Sequence, residues 1–204
     1  MERIVLASGN RGKIREIQAI LGEGRYTVLP QSDFATPEAE ETGLTFVENA
    51  ILKARNAAHH SGLPAMADDS GLAVDWLDGA PGVYSARYAG IGASDQANLE
   101  KLLEAMQDVP DEQRGARFIC AMVFLRHAAD PCPLVALGQW EGRILREARG
   151  DNGFGYDPVF WVPEQGRASA ELPPDVKNRL SHRGQAVRAL CAQLERAFNG
   201  TEPR

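Results

Sequence analysis

A chain of 204 residues with 44% hydrophobic and 25% charged residues is not of disordered composition, and it can build one domain with a sizeable core or two small lobes sharing one sheet. Its formal net charge of −6 excludes the broad basic field of non-specific nucleic-acid binding, while a local cluster of cations could still hold an anion. No run of about 18 apolar residues suits a membrane span, Ile4 to Ala7 is too short for a secretory signal, and three widely spaced cysteines (Cys120, Cys132 and Cys191) suit free thiols in a reducing cytoplasm.

Ile4 to Ala7 reads as a buried strand that stops at Ser8-Gly9-Asn10-Arg11-Gly12. A helix follows, with Ile14, Ile17, Ile20 and Leu21 on one face and Gly22 as its stop. Tyr26 to Leu29 fits a second strand, and the polar residues 31–43 fit a loop. Thr45 and Glu48 form a capping-box pattern that opens an alanine-rich helix to about His60, with Gly62 ending it. Ala65 to Ala67 reads as a strand, Asp68-Asp69-Ser70-Gly71 as an acidic turn, and Leu72 to Trp76 as another strand. Residues 78–93 read as a loop, and Ser94 caps a helix bearing Leu99, Leu102, Leu103 and Met106. Arg117 to Arg126 and Leu134 to Trp140 form an expected antiparallel pair, followed by a glycine loop over Gly150 to Pro158 and a short strand at Val159 to Val162. Pro173-Pro174 reads as a break, and Ser181 caps a last helix with Val187, Leu190, Cys191, Leu194 and Phe198 as its stripe. The expected fold is α/β with a mixed sheet, as one domain over residues 1–198 and a frayed tail at 199–204.

Four segments carry candidate chemistry. Ser8-Gly9-Asn10-Arg11-Gly12-Lys13 stands at a strand-to-helix junction, where free N–H groups and the helix dipole favour an anion. Lys13 opposes that dipole unless an anion is present, although a capped turn with a surface lysine fits the same residues. The acidic set is Asp68 and Asp69 with Glu41 and Glu38 or Glu40. It can hold Mg²⁺, which takes one or two carboxylates beside a phosphate, or the aspartates can simply stabilise a turn. Lys53 is a candidate counter-charge. In Gly153-Phe154-Gly155-Tyr156-Asp157-Pro158 the aromatics can stack on a base and Asp157 can accept ring N–H groups, or the aromatics can cap the core. Lys177 with Ser181-His182-Arg183 offers donors to a keto oxygen at purine position 6, or a solvated charged face.

Taken together and in this order, the four segments resemble the inosine triphosphate pyrophosphatase (dITP/XTP pyrophosphatase) family. The resemblance extends over Glu16, Glu40-Glu41-Thr42-Gly43, Phe46 to Ala50 and Lys53, Ala67 to Leu72, Gly79 to Gly82 and Ser85 to Tyr88. It covers about residues 4 to 195. It implies an elongated two-lobed fold, with a long central mixed sheet flanked by helices and the active site in the cleft between lobes, and a cytoplasmic homodimer. It implies hydrolysis of inosine, deoxyinosine and xanthosine triphosphates to monophosphate and pyrophosphate. Ser8, Gly9, Asn10, Arg11, Gly12 and Lys13 would bind the triphosphate, and Ser70 would be a further substrate-binding residue. Glu41 and Asp69 would bind Mg²⁺, with Asp69 as base and Asp68, Lys13 and Lys53 assisting. Phe154, Gly155, Tyr156, Asp157, Lys177, His182 and Arg183 would hold the purine. A non-catalytic nucleotide-binding module would lack the acidic set, and a pyrophosphatase for modified pyrimidine triphosphates would lack Ser181-His182-Arg183.

Overall fold

A computed structural model of the chain describes residues 2–21 and 26–199. Strand β1 (Glu2–Ala7) alternates its side chains between two hydrophobic clusters, Ile4 and Leu6 in one, Val5 and Ala7 in the other. It lies parallel to β2 (Tyr26–Pro30) on one side and to β3 (Ala65–Val74) on the other. Helix α1 (Arg11–Leu21) turns Ile14, Ile17 and Ile20 toward Ile4 and Leu6, joined by Val187, Leu190 and Leu194 of α5 (His182–Asn199).

Helix α2 (Phe46–Ser61) meets the opposite cluster through Ala50, Ala54, Ala57 and Ala58, a helical spacing of small residues that lets it lie close to the sheet. Its start is the capping box expected from Thr45 and Glu48, and it ends at Gly62 in the left-handed conformation.

The full strand order is β2-β1-β3-β4-β5-β6-β7, with β4 at Gly115–Leu125, β5 at Leu134–Ile144, β6 at Phe160–Val162 and β7 at Arg167–Ala168. β5 and β6 pair antiparallel, as do β6 and β7. The matches of Arg114 with Ile144 and of Arg117 with Glu141 run in opposite chain directions, as an antiparallel β4–β5 hairpin requires. The sheet is therefore mixed and the fold α/β, as expected.

The chain divides into two compact units. The first holds residues up to Asp69, Cys120–Gly138 and those from Arg183 onward; the second holds Ser70–Ile119 and Gln139–His182. The second unit's core gathers Leu72 and Val74 of β3, Leu99 and Leu102 of α3 (Asp95–Ala105), Phe118, Trp140, Tyr156 and Phe160. Ser94 caps α3 by accepting from the Ala97 N–H.

Several expectations need correction. Residues 68–71 form no turn: β3 is one strand of ten residues, almost wholly buried, and Asp68 and Asp69 sit in its middle. Lysines and an arginine from neighbouring helices supply the countercharge that local sequence does not show. α1 begins at Arg11, so Arg11 and Gly12 belong to its first turn and not to the preceding loop. The Pro173-Pro174 pair does not break the chain but starts α4 (Pro174–Leu180), since proline is tolerated in a helix's first turn. The Gly22 stop and residues 200–204 of the expected tail lie outside the described residues, as does the Phe198 side chain, while Asn199 ends α5.

Candidate active site

In the first unit the β1–α1 junction is organised by Asn10. Its Oδ1 accepts from the Gly12 N–H at 2.9 Å and the Lys13 N–H at 3.0 Å, and its own N–H donates to Ser8 Oγ at 3.2 Å. Asn10 thus takes two of the helix-terminal N–H groups that the sequence offered to an anion, which leaves the charge of Lys13 as the larger attraction. Gly9 lies close to Glu38: a Cβ on it would stand 2.9 Å from Glu38 Oε1.

The Lys13 side chain crosses to β3, where Nζ lies 3.1 Å from Asp68 Oδ2. Arg183 Nη2 lies 3.5 Å from the same oxygen, and Arg183 Nη1 pairs with Glu16 of α1. Burial works to raise the Asp68 carboxyl, yet Lys13, Arg183 and Lys53 outweigh it and hold Asp68 well below the usual carboxylate range.

One residue further along β3, Asp69 Oδ1 lies 2.9 Å from Lys53 Nζ, which is also 3.0 Å from Glu41 Oε1. Burial disfavours the Lys53 charge, but Asp68, Asp69 and Glu41 together raise its affinity for the proton. Burial likewise lifts the Asp69 carboxyl above its ordinary value; Lys53 and Lys13 offset only part of this, and Glu41 adds to the rise.

Glu41 and Asp69 therefore already converge on one cation. Asp69 Oδ2 is buried and has no hydrogen-bond partner among the described residues. Two carboxylates with an uncommitted oxygen suit a hard, oxygen-seeking dication. Among the described residues no cluster of three or more His, Cys, Asp and Glu side chains gathers here or elsewhere. Ser70 follows in β3, half-buried. Cys120 offers no nucleophile: burial, with Asp68 nearby, pushes its thiol up to about 12.

In the second unit the glycine loop folds around Asp157. Its Oδ2 accepts from the Phe154 N–H at 2.8 Å and pairs with Lys177 Nζ at 2.6 Å, and its Oδ1 accepts from Ser169 Oγ at 2.7 Å. Lys177 stands on α4 with its ammonium 5.2 Å from the centre of the Phe154 ring. Gly153 has φ of +79°, and a Cβ there would lie 2.1 Å from Asp157 Oδ2, so only glycine fits. Tyr156 is buried and donates to the Ser85 carbonyl at 2.8 Å, and the Gly155 N–H donates to Asp95 Oδ2 at 2.8 Å. His182 stacks on Phe118, with centroids 4.8 Å apart and planes 11° from parallel.

The structure thus brings Lys13, Asp68 and Arg183 into one network, Glu41, Lys53 and Asp69 into another, and Phe154, Asp157 and Lys177 into a third. Among the described residues no hydrogen bond or ion pair joins Ser8, Gly9 or Arg11 to these carboxylates. Sequence reasoning missed Phe118, Ser169 and Asp95, which look like an ordinary strand residue, a loop serine and a helix-start acid.

The model of the Ham1 family matches residues 4–193. A dITP/XTP pyrophosphatase of Vibrio cholerae is 61% identical over 195 residues, covering 96% of this chain and 98% of that protein. One from Pseudomonas aeruginosa is 62% identical over 194 residues, covering 95% and 98%. Among solved structures, a HAM1 protein from Coxiella burnetii has a TM-score of 0.89 at 52% identity, covering 95% of this chain and 98% of that one. The Staphylococcus aureus Ham1 protein has a TM-score of 0.84 at 42% identity, with the same coverage.

Proposed function

Because the chain belongs to the Ham1 family, we propose that it is a pyrophosphatase that hydrolyses non-standard purine nucleoside triphosphates, those of inosine, deoxyinosine and xanthosine, to the monophosphate and pyrophosphate. The observation that carries this reading is the convergence of Lys13, Lys53, Glu41, Asp68 and Asp69 on one stretch of β3. Two ammonium groups there can neutralise a phosphate tail, and the carboxylates beside them can hold a dication and take a proton.

In the reaction, water attacks the α-phosphorus and pyrophosphate leaves. Lys13 and Lys53 hold phosphate oxygens and offset the charge that builds on the bridging oxygen. Asp68 keeps Lys13 in place, and Asp69, whose carboxyl is raised by burial, takes the proton of the attacking water. Mg²⁺, held by Glu41 and Asp69, would supply positive charge against the phosphate oxygens. Ser8, Gly9, Asn10, Arg11, Gly12 and Ser70 complete the phosphate side.

Phe154, Gly155, Tyr156, Asp157, Lys177, His182 and Arg183 take the purine. His182 and Arg183 donate to the 6-keto oxygen; a 6-amino group meets them donor against donor, at a cost of ~1–3 kcal/mol for each buried group left unpaired. Asp157 acts chiefly by fixing Lys177 and the loop at Phe154.

In this reading residues 1–198 act as one catalytic domain, in the cytoplasm and as a homodimer. Among the described residues no helix is long and apolar enough to cross a membrane. The acidic net charge of −6 favours a small nucleotide over nucleic acid as substrate.

The test is a panel of nucleoside triphosphates with Mg²⁺, assayed for pyrophosphate. Inosine and xanthosine triphosphates are expected to turn over well ahead of adenosine triphosphate, and Asp69→Asn to stop turnover with the fold intact. Equal rates across the panel, or an active Asp69→Asn variant, would remove these assignments.

A further inference from the structure

Apart from all the residues assigned above, the second unit holds a pocket of about 580 Å³, within the size range of small-molecule sites. Its wall sets four guanidiniums, Arg114, Arg143, Arg146 and Arg149, against two carboxylates, Asp111 and Glu147. That local excess of positive charge stands out in a chain whose net charge is −6.

The four arginines are not equivalent. Arg114 is buried and spends its donors on carbonyls, Nε on Ile144 O at 2.7 Å and Nη2 on Leu145 O at 2.9 Å, so it adds fixed charge. Arg146 is tied to Asp111 at 2.7 Å and to the Val109 carbonyl at 3.2 Å. Arg149 reaches Glu147 at 3.3 Å in an exposed pair of little strength. Arg143 is exposed, and its side chain makes no hydrogen bond or ion pair among the described residues. It is the register partner of Trp161 across the β5–β6 ladder, and both line the pocket.

Like charges held this close repel, and the repulsion is relieved when an anion enters. Guanidinium forks match phosphate oxygens two at a time, and the Arg143 fork and the weakly paired Arg149 fork can turn to them beside the fixed charge of Arg114 and Arg146. We propose that this pocket is a second ligand site that takes an oligophosphate anion. Arg143 and Arg149 are its donors, and Arg114 and Arg146 its fixed charge.

Calorimetric titration of the full chain with tripolyphosphate, in metal-free buffer, is expected to show two sites per chain. Arg143→Ala combined with Arg149→Ala weakens one of them about tenfold or more and leaves pyrophosphate release from inosine triphosphate unchanged. Lys13→Ala removes the other. A single site, abolished by Lys13→Ala and untouched by the arginine variant, overturns the proposal. Two sites that both survive Lys13→Ala, one of them still sensitive to the arginine variant, uphold this pocket and instead contradict the assignment of Lys13 to the phosphates. Titration with adenosine triphosphate separates the sources of the anion. Equal affinity for both titrants means the oligophosphate alone is read; tighter nucleotide binding that Trp161→Leu cancels means the base rests on the indole.

Discussion

Asparagine in place of Asp68 keeps the side chain's size and removes one charge. Asp68 is 1% exposed, with Lys13 Nζ 3.1 Å and Arg183 Nη2 3.5 Å from its Oδ2. Removing one partner of a buried pair costs ~3–5 kcal/mol, because the other charge is left uncompensated. Here two features pull the loss to the low end: Arg183 keeps Glu16, and the Lys13 side chain, 16% exposed, can be reached by water. The expected loss is about 3 kcal/mol, or about 6–12 °C in the thermal midpoint for a chain of this length. The loss also has a pH signature. Lys13, Arg183 and Lys53, working against burial, depress the Asp68 carboxyl in the folded chain. A group depressed in this way contributes its full stability above the unfolded value of ~3.9, and the contribution is lost as pH falls through the folded value. In urea unfolding the gap between wild type and Asp68→Asn is therefore widest near neutrality and closes as pH falls below about 4. A gap under ~0.5 kcal/mol at neutral pH, or one indifferent to acid, refutes the reading of Asp68 as the hub of this network.

Gly153→Ala places a methyl group 2.1 Å from Asp157 Oδ2 at a φ of +79°; kcat/KM for inosine triphosphate is expected to fall about tenfold or more as the loop shifts, and an unchanged value would separate the loop from substrate. Phe118→Leu removes the ring on which His182 stacks, contact worth ~0.5–1.5 kcal/mol, so KM for inosine triphosphate should rise about two- to tenfold with kcat held. An unmoved KM would show that His182 does not need Phe118. Lys177→Met leaves the buried Asp157 carboxylate without its ammonium partner and should cost about 3 kcal/mol in urea unfolding, with much of that recovered when Asp157→Asn is added. Failure of the second substitution to recover stability would mean that packing, not charge, is what Lys177 provides.

What the sequence shows plainly is what neighbouring residues decide among themselves. The capping box at Thr45 and Glu48, the cap at Ser94 and the alternation of Ile4 to Ala7 each follow from a few adjacent side chains, and each stands in the structure. β3 was hidden because Asp68-Asp69-Ser70-Gly71 has the composition of a turn, and what makes it a buried strand arrives from elsewhere. Lys13 comes from α1, Lys53 from α2 and Arg183 from α5, at separations that no local pattern reveals. The same holds for Asp157, whose carboxylate is tied to Ser169 and Lys177, 12 and 20 residues along the chain, by bonds that no local pattern reveals. α4 was hidden by its own opening prolines, which read equally as a break or as a first turn. The order of the motifs along the chain was legible, and it pointed to the family that the comparisons establish.

Hydrolysis of inosine triphosphate in ¹⁸O-labelled water, with the products resolved by phosphorus NMR, tests the central claim most directly. Attack by water on the α-phosphorus beside Asp69 places the label in inosine monophosphate and none in pyrophosphate. Label in pyrophosphate, or release of orthophosphate in its place, would contradict it.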